Sequence, residues 1–229
     1  MRPIFFAILW TSFSPFVYSS EPVIKEFEAS SIKKLEIKNP KGEITVLGMK
    51  GLKKIAVKFE KIQFDSKCKF QQEENAGVLK LSFVHESGLF EKANCVGKLT
   101  VNVPSVLSEI EVSTGSGQVK LAGVEAAMDF KTATGNVDIK AENLKSVSGK
   151  TATGNIALTY LSCPKRADID LMTATGDAEV VLGSSCKIRA THKSATGDLF
   201  NEMGDNEDYQ VLVAMKSASG NLKIKKLSK

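Results

Sequence analysis

Four carboxylates, Asp168, Asp170, Asp177 and Glu179, fall within a dozen positions of one another in this 229-residue sequence. Such a set could hold a divalent cation, or in a pair protonate and attack a glycosidic bond, the chemistry of a polysaccharide-acting β-helix enzyme. Lys165 and Arg166 stand beside them, however, and alternating charge along strands reads more simply as solvated, ion-paired faces. No Ser-His-Asp arrangement, nucleophile elbow or phosphate-cradling glycine loop occurs. The two histidines, His85 and His192, lie at ligand spacing from no cysteine pair, and no CxxC is present. The expectation is therefore no catalytic residue, no metal and no cofactor, with His192 an exposed neighbour of a hydroxyl array described below.

The four cysteines, Cys68, Cys95, Cys163 and Cys186, are the other reactive groups. Their chemistry depends on compartment, and the N-terminus supplies an address. Met1 and Arg2 precede the apolar run IFFAILW and then FSPFVYSS, the n-, h- and cleavage regions of a secretory signal peptide at 1–19. The apolar run is too short to span a bilayer. The mature chain is expected to begin at about Ser20, with no transmembrane anchor. Export to a periplasm, the surface or the medium puts the cysteines where disulfides persist. Sequence neighbourhood favours Cys68 with Cys95 and Cys163 with Cys186.

One short phrase recurs from residue 106 onward: VSTGSGQVKL, FKTATGNVDI, GKTATGNIAL, LMTATGDAEV, HKSATGDLFN and MKSASGNLKI. Its glycines, Gly117, Gly135, Gly154, Gly176, Gly197 and Gly220, are separated by 18, 19, 22, 21 and 23 residues, a period near the low end of the solenoid range. A weaker copy, IKNPKGEITV, stands at 37–46. Inside each copy apolar residues alternate with polar ones, as in Val137 and Ile139, so the unit is strand and helices should be few. Units this small must stack to share a core. The fold class that follows is all-β, a β-solenoid resembling a parallel β-helix, of about six to seven coils.

Glycine at one position of every copy implies a tight corner with positive φ or no room for a Cβ. The next residue is Gln118 or one of the Asx residues Asn136, Asn155, Asp177, Asp198 and Asn221, suited to satisfy turn amides and to stack into a ladder. In sequence order Asp177 and Asp198 would occupy neighbouring rungs and repel, tilting one outward. Before the glycine come paired hydroxyls around an alanine: Thr132 and Thr134, Thr151 and Thr153, Thr173 and Thr175, Ser194 and Thr196, Ser217 and Ser219. Strict alternation would put both hydroxyls on one face. Cys163 and Cys186 follow their glycines by nine and ten residues. Those equivalent places on adjacent coils would be about 4.8 Å apart, within disulfide range.

Residues 20–105 have a different texture, with longer alternating strands that read as an antiparallel section capping the solenoid of 106–229. At the other end Lys223, Lys225, Lys226 and Lys229 would blunt an open edge. The net charge of +5 raises the question of nucleic acid. Residues 20–105 carry 15 Lys against 11 acids and residues 106–229 carry 15 Lys plus Arg against 15 acids. The excess thus reads as diffuse surface lysine without a basic stripe, and no nucleic-acid partner is expected.

The opening IKNPKGEITVLG, the LTVNVPSVLSEIEVSTGSGQVKL segment and the serial TATGN and TATGD phrases resemble the bacterial adhesin-type β-strand-repeat domains of unknown function, related to head GIN adhesin domains. The resemblance covers the mature chain. It implies an exported parallel β-helical domain and brings no catalytic residues; the cysteines and the uniform Thr-Ala-Thr lie outside its pattern. The function expected is an exported, non-catalytic adhesion, binding or structural module whose partner is a protein or glycan of the envelope or surface. The alternative is the polysaccharide-acting enzyme. A lesser alternative takes the Thr-Ala-Thr ladder as an ice-binding face, which requires Thr134, Thr153 and Thr175 outside.

Overall fold

The computed structural model describes residues 21–85, 94–142 and 145–228. The expected signal peptide and Lys229 lie outside the described residues. These contain 19 strands, one short 3-10 turn and no α-helix.

Each repeat is a longer strand, a glycine corner and a shorter strand. The pairs are β8 (Val106–Ser116) with β9 (Val119–Ala122), β10 (Glu125–Thr134) with β11 (Val137–Ala141), and β12 (Ser146–Thr153) with β13 (Ile156–Tyr160). They continue as β14 (Ala167–Thr175) with β15 (Ala178–Leu182), β16 (Ile188–Thr196) with β17 (Leu199–Asn201), and β18 (Val211–Ser219) with β19 (Leu222–Lys226). Like strands pair in parallel from coil to coil, so equivalent residues stack in columns, as in Thr132 on Thr151 on Thr173. This is the expected β-solenoid. Its core is built from inward columns such as Val119, Val137, Ile156, Ala178 and Leu222, all buried. Where one column alternates large with small, Phe130 fills the space that a Cβ on Gly149 would take.

The coils do not stack in sequence order. Both β14 and β16 pair with β18, and both β15 and β17 pair with β19, so the last coil in sequence lies between the two before it. The other end shows the same device. There β2 (Lys34–Lys41) and β3 (Ile44–Met49) form the coil carrying the weak IKNPKGEITV copy. That coil sits between β8–β9 on one side and β6 (Val78–His85) and β7 (Cys95–Pro104) on the other. Parallel stacking therefore continues into the N-terminal section. The antiparallel part there is made by β1 (Val23–Glu28) on β4 (Lys54–Phe64), β4 on β7, and β5 (Cys68–Asn75) on β6. Its interior holds the packed rings of Phe59, Phe64, Phe70 and Phe83, with the Phe59 and Phe83 centroids 4.8 Å apart.

This order corrects two expectations. Lys223, Lys225 and Lys226 guard no edge, because β19 is an interior strand; Lys223 pairs with Asp177 at 3.1 Å and Lys225 with Glu179 at 2.7 Å. The outer strand is β16, and part of its edge is covered by the 202–210 loop. There the Ala190 amide donates to Asp205 Oδ1 at 3.0 Å and the Asn206 amide to the Ile188 carbonyl at 2.7 Å. Second, Asp177 and Asp198 are not neighbours, since Asn221 lies between them.

Two disulfides close the structure. Cys68 and Cys95 join β5 to β7 with Cα atoms 5.7 Å apart, and Cys163 and Cys186 join consecutive inter-coil links with Cα atoms 5.4 Å apart.

Candidate functional site

The corner glycines hold one wall of the candidate site in place. Gly135, Gly154, Gly176, Gly220 and Gly197 have φ between +143° and +147°. Each is pressed on a neighbouring glycine, so that a Cβ on Gly154 would run into the Gly135 carbonyl oxygen and one on Gly220 into that of Gly176. Both the left-handed backbone and the close approach require glycine. The residue after each glycine continues the Asx ladder. Asn136 Oδ1 accepts the Asn155 amide at 2.9 Å, Asn155 Oδ1 the Asp177 amide at 3.0 Å, Asp177 Oδ1 the Asn221 amide at 2.8 Å, and Asn221 Oδ1 the Asp198 amide at 2.9 Å. Each side chain thus satisfies the backbone of the next rung. The Asn221 amide beside Asp177 holds its carboxyl below the usual carboxylate range; burial opposes this and Lys223 reinforces it.

Approaching the corner, the strands depart from strict alternation. Thr132, Thr151 and Thr173 are buried, whereas Ala133, Ala152 and Ala174 and then Thr134, Thr153 and Thr175 are all exposed. The paired hydroxyls therefore do not share a face. The ladder registers Thr132 on Thr151 and Thr134 on Thr153 with the alanines between them unpaired, the point where each chain bends toward its glycine. The buried hydroxyl of Thr173 donates to the Gly176 carbonyl at 3.3 Å and the half-buried hydroxyl of Ser217 to the Gly220 carbonyl at 3.2 Å, tying the strand to its own corner. The outward column that remains has one hydroxyl per coil, beside a methyl. Thr134, Thr153 and Thr175 are outside, as an ice-binding surface needs, but their partners in the expected two-column array point inward.

The bend leaves an open groove of about 660 Å³ crossing five coils. It is lined by Ala133, Ala152, Ala174 and Ala218, by the threonines behind them, and by the residue preceding each first hydroxyl: Ser113, Lys131, Lys150, Met172 and Lys216. No carboxylate lines it. Lys38 lies one rung beyond Ser113, and Lys193 one rung beyond Lys216. Stacking has thus gathered lysines spaced about twenty residues apart into a column, where diffuse charge was expected. The signal lies in the residue before the first hydroxyl of each phrase, which is lysine in four of the six copies, Lys131, Lys150, Lys193 and Lys216, and the summed charge of a segment does not contain it.

The carboxylates considered for catalysis do not converge. Asp168 and Asp170 are exposed on β14, while Asp177 and Glu179 lie past the corner in their lysine pairs. Among the described residues no group of three or more His, Cys, Asp or Glu could hold a metal. His192 is half-buried, its Nε2 3.4 Å from Ser217 Oγ.

The sequence matches the Toastrack DUF4097 family over residues 24–228, nearly the whole chain. The chain belongs to this family. Toastrack DUF4097 is a family of unknown function, so membership assigns no role to the groove. No curated protein matches the chain. Among solved structures, the chain is similar to a "putative cell adhesion protein" from Clostridium sporogenes, at 16% identity and a TM-score of 0.53, covering 90% of this chain and 99% of that one. A "putative adhesin" from Bacteroides fragilis matches at 13% identity and a TM-score of 0.44, covering 91% and 98%. A "putative lipid binding protein" from Parabacteroides distasonis matches at 14% identity and a TM-score of 0.41, covering 90% and 97%. The first of these shows that the Toastrack DUF4097 chain shares its fold along its length. Among the described residues no helix is long and apolar enough to cross a membrane.

Proposed function

We propose that the chain is an exported, non-catalytic binding module of the cell envelope or surface, which takes its partner along the groove beside the glycine corners. The observation that carries this is the groove itself, open, continuous over five coils and lined by methyl, hydroxyl and lysine groups with no carboxylate among them. Solenoids characteristically use such extended faces for binding. Acid–base chemistry on a glycan would need two opposed carboxyl groups, and Asp177 and Glu179 are engaged in ion pairs. Export is supported by the signal-like first 19 residues and by two disulfides, which accord with an oxidising compartment. The name carried by the Clostridium sporogenes structure agrees with adhesion.

The test is co-sedimentation of purified mature protein, beginning at Ser20, with isolated envelope fractions, compared with the groove-filling variant Ala152→Leu. Binding by the parent and not by the variant is expected. Reproducible release of reducing ends from envelope glycan by the same preparation would overturn the non-catalytic reading, and equal binding by the variant would remove the groove from it.

A further inference from the structure

The charge of the groove specifies the class of partner. Lys131 is paired with Asp129 at 3.3 Å, but Lys150, Lys193 and Lys216 form no ion pair among the described residues. Moreover, Lys131 stands directly on Lys150 and Lys216 directly on Lys193. Like charges opposite one another on neighbouring strands are destabilising, so this arrangement works against the fold. An anion lying across the rungs would relieve it. Equally unusual is the alanine at the exposed position of five successive phrases, where a strand surface tolerates almost any polar side chain; Ala152 and Ala174 keep the space above them empty.

From this we infer that the groove is a binding site for an extended anionic polysaccharide, whose chain runs along the solenoid axis with ring C–H faces on the alanine methyls and its acidic groups on Lys150, Lys216 and Lys193. The inference rests on the proposed role as a binding module. A rung of about 4.8 Å is close to the length of one sugar in an extended chain, so successive residues meet successive coils. A peptide fits less well, because the strands run across the groove and present no free edge along it for strand addition.

Polygalacturonate is the probe, with neutral dextran and poly-glutamate as comparisons, measured by calorimetry and by the shift in Tm. Polygalacturonate should bind, raise Tm and lose affinity with added salt, while dextran neither binds nor raises Tm. Lys150→Gln and Lys216→Gln should each weaken binding about two- to five-fold, and Lys140→Gln, the same charge removed from an exposed site on β11, should not. Ala152→Leu should weaken it at least about ten-fold while its melting without polymer is unchanged, since the position is exposed. Polygalacturonate binding no tighter than dextran, or undiminished in Ala152→Leu, overturns the inference. Poly-glutamate binding as tight as polygalacturonate overturns it in favour of an acidic peptide. Envelope co-sedimentation separates the two levels: if it persists without polygalacturonate binding, only the polyanion assignment falls; if both fail, the binding module falls too.

Discussion

The amide of Asn221 donates to Asp177 Oδ1 at 2.8 Å, across 44 residues of sequence and one rung of the stack. This contact registers the last coil against the fourth repeat, and Lys223 adds an ion pair to the other carboxylate oxygen at 3.1 Å. Asp177→Ala should cost about 1 kcal/mol, the net worth of such a hydrogen bond at a partly exposed site. Asp177→Asn, which keeps the acceptor, should cost less. Urea unfolding at pH 7 checks the ranking, and an alanine variant as stable as the parent would remove the ladder from the stability argument.

The same carboxyl predicts a pH dependence. Because its native pKa is lowered, the folded state binds the proton less readily than the unfolded chain. Its contribution is complete above the unfolded value near about 3.9 and is lost as the pH falls through the native value. Asp177→Asn should therefore flatten part of the acid limb of the stability curve below about pH 4, while the difference from the parent is constant above about pH 5.

Gly154→Ala should destabilise by at least about 2 kcal/mol, because it combines a disfavoured positive φ with a Cβ that meets the Gly135 carbonyl. Gly204→Ala, also at positive φ but with open space around it, should cost less. Chemical denaturation of the two variants separates backbone strain from close packing; equal costs would show that the glycine column is not tightly stacked.

Gly149 and Phe130 should be energetically coupled, since the ring occupies the place of the missing Cβ. Gly149→Ala alone is expected to cost roughly 1–3 kcal/mol through overpacking. Phe130→Leu in the same chain should recover part of that loss, a coupling measured by a double-mutant cycle. Strict additivity would contradict the described packing.

Removing the Cys163–Cys186 bridge by paired Cys→Ser substitution should cost about 2–4 kcal/mol, the range for a loop of this length. The bridge ties the link before β14 to the link after β15. Its loss should therefore raise hydrogen exchange in β16 and β18 more than in β8, and uniform exchange would argue against a local clip.

Much of this architecture was legible because the determinants are local. A glycine corner, an Asx residue after it and period-two alternation recur in every phrase, and the nine- and ten-residue offsets of Cys163 and Cys186 put them on equivalent turns. The stacking order was not legible, because every phrase is compatible with every other as a neighbour. What decides it lies in the links. The five residues 183–187 can extend about 16 Å, enough to pass a vacant rung, and residues 202–210 bring the chain back into it. The lysine column is hidden in the linear sequence for a related reason, since Lys131, Lys150, Lys216 and Lys193 become neighbours only when the coils are laid on one another in spatial order.

The interleaving of the final coil has a consequence for biosynthesis. Chains emerge N-terminus first, yet the slot between the 167–182 and 188–201 segments can be filled only by residues 211–226, which emerge after both. Until they arrive, two mating surfaces stay open in the interior of the stack rather than at its tip. A polypeptide stopped short of residue 211 would thus lack its middle joint, not merely its last layer, and the unoccupied slot would be exposed to any other strand that could enter it.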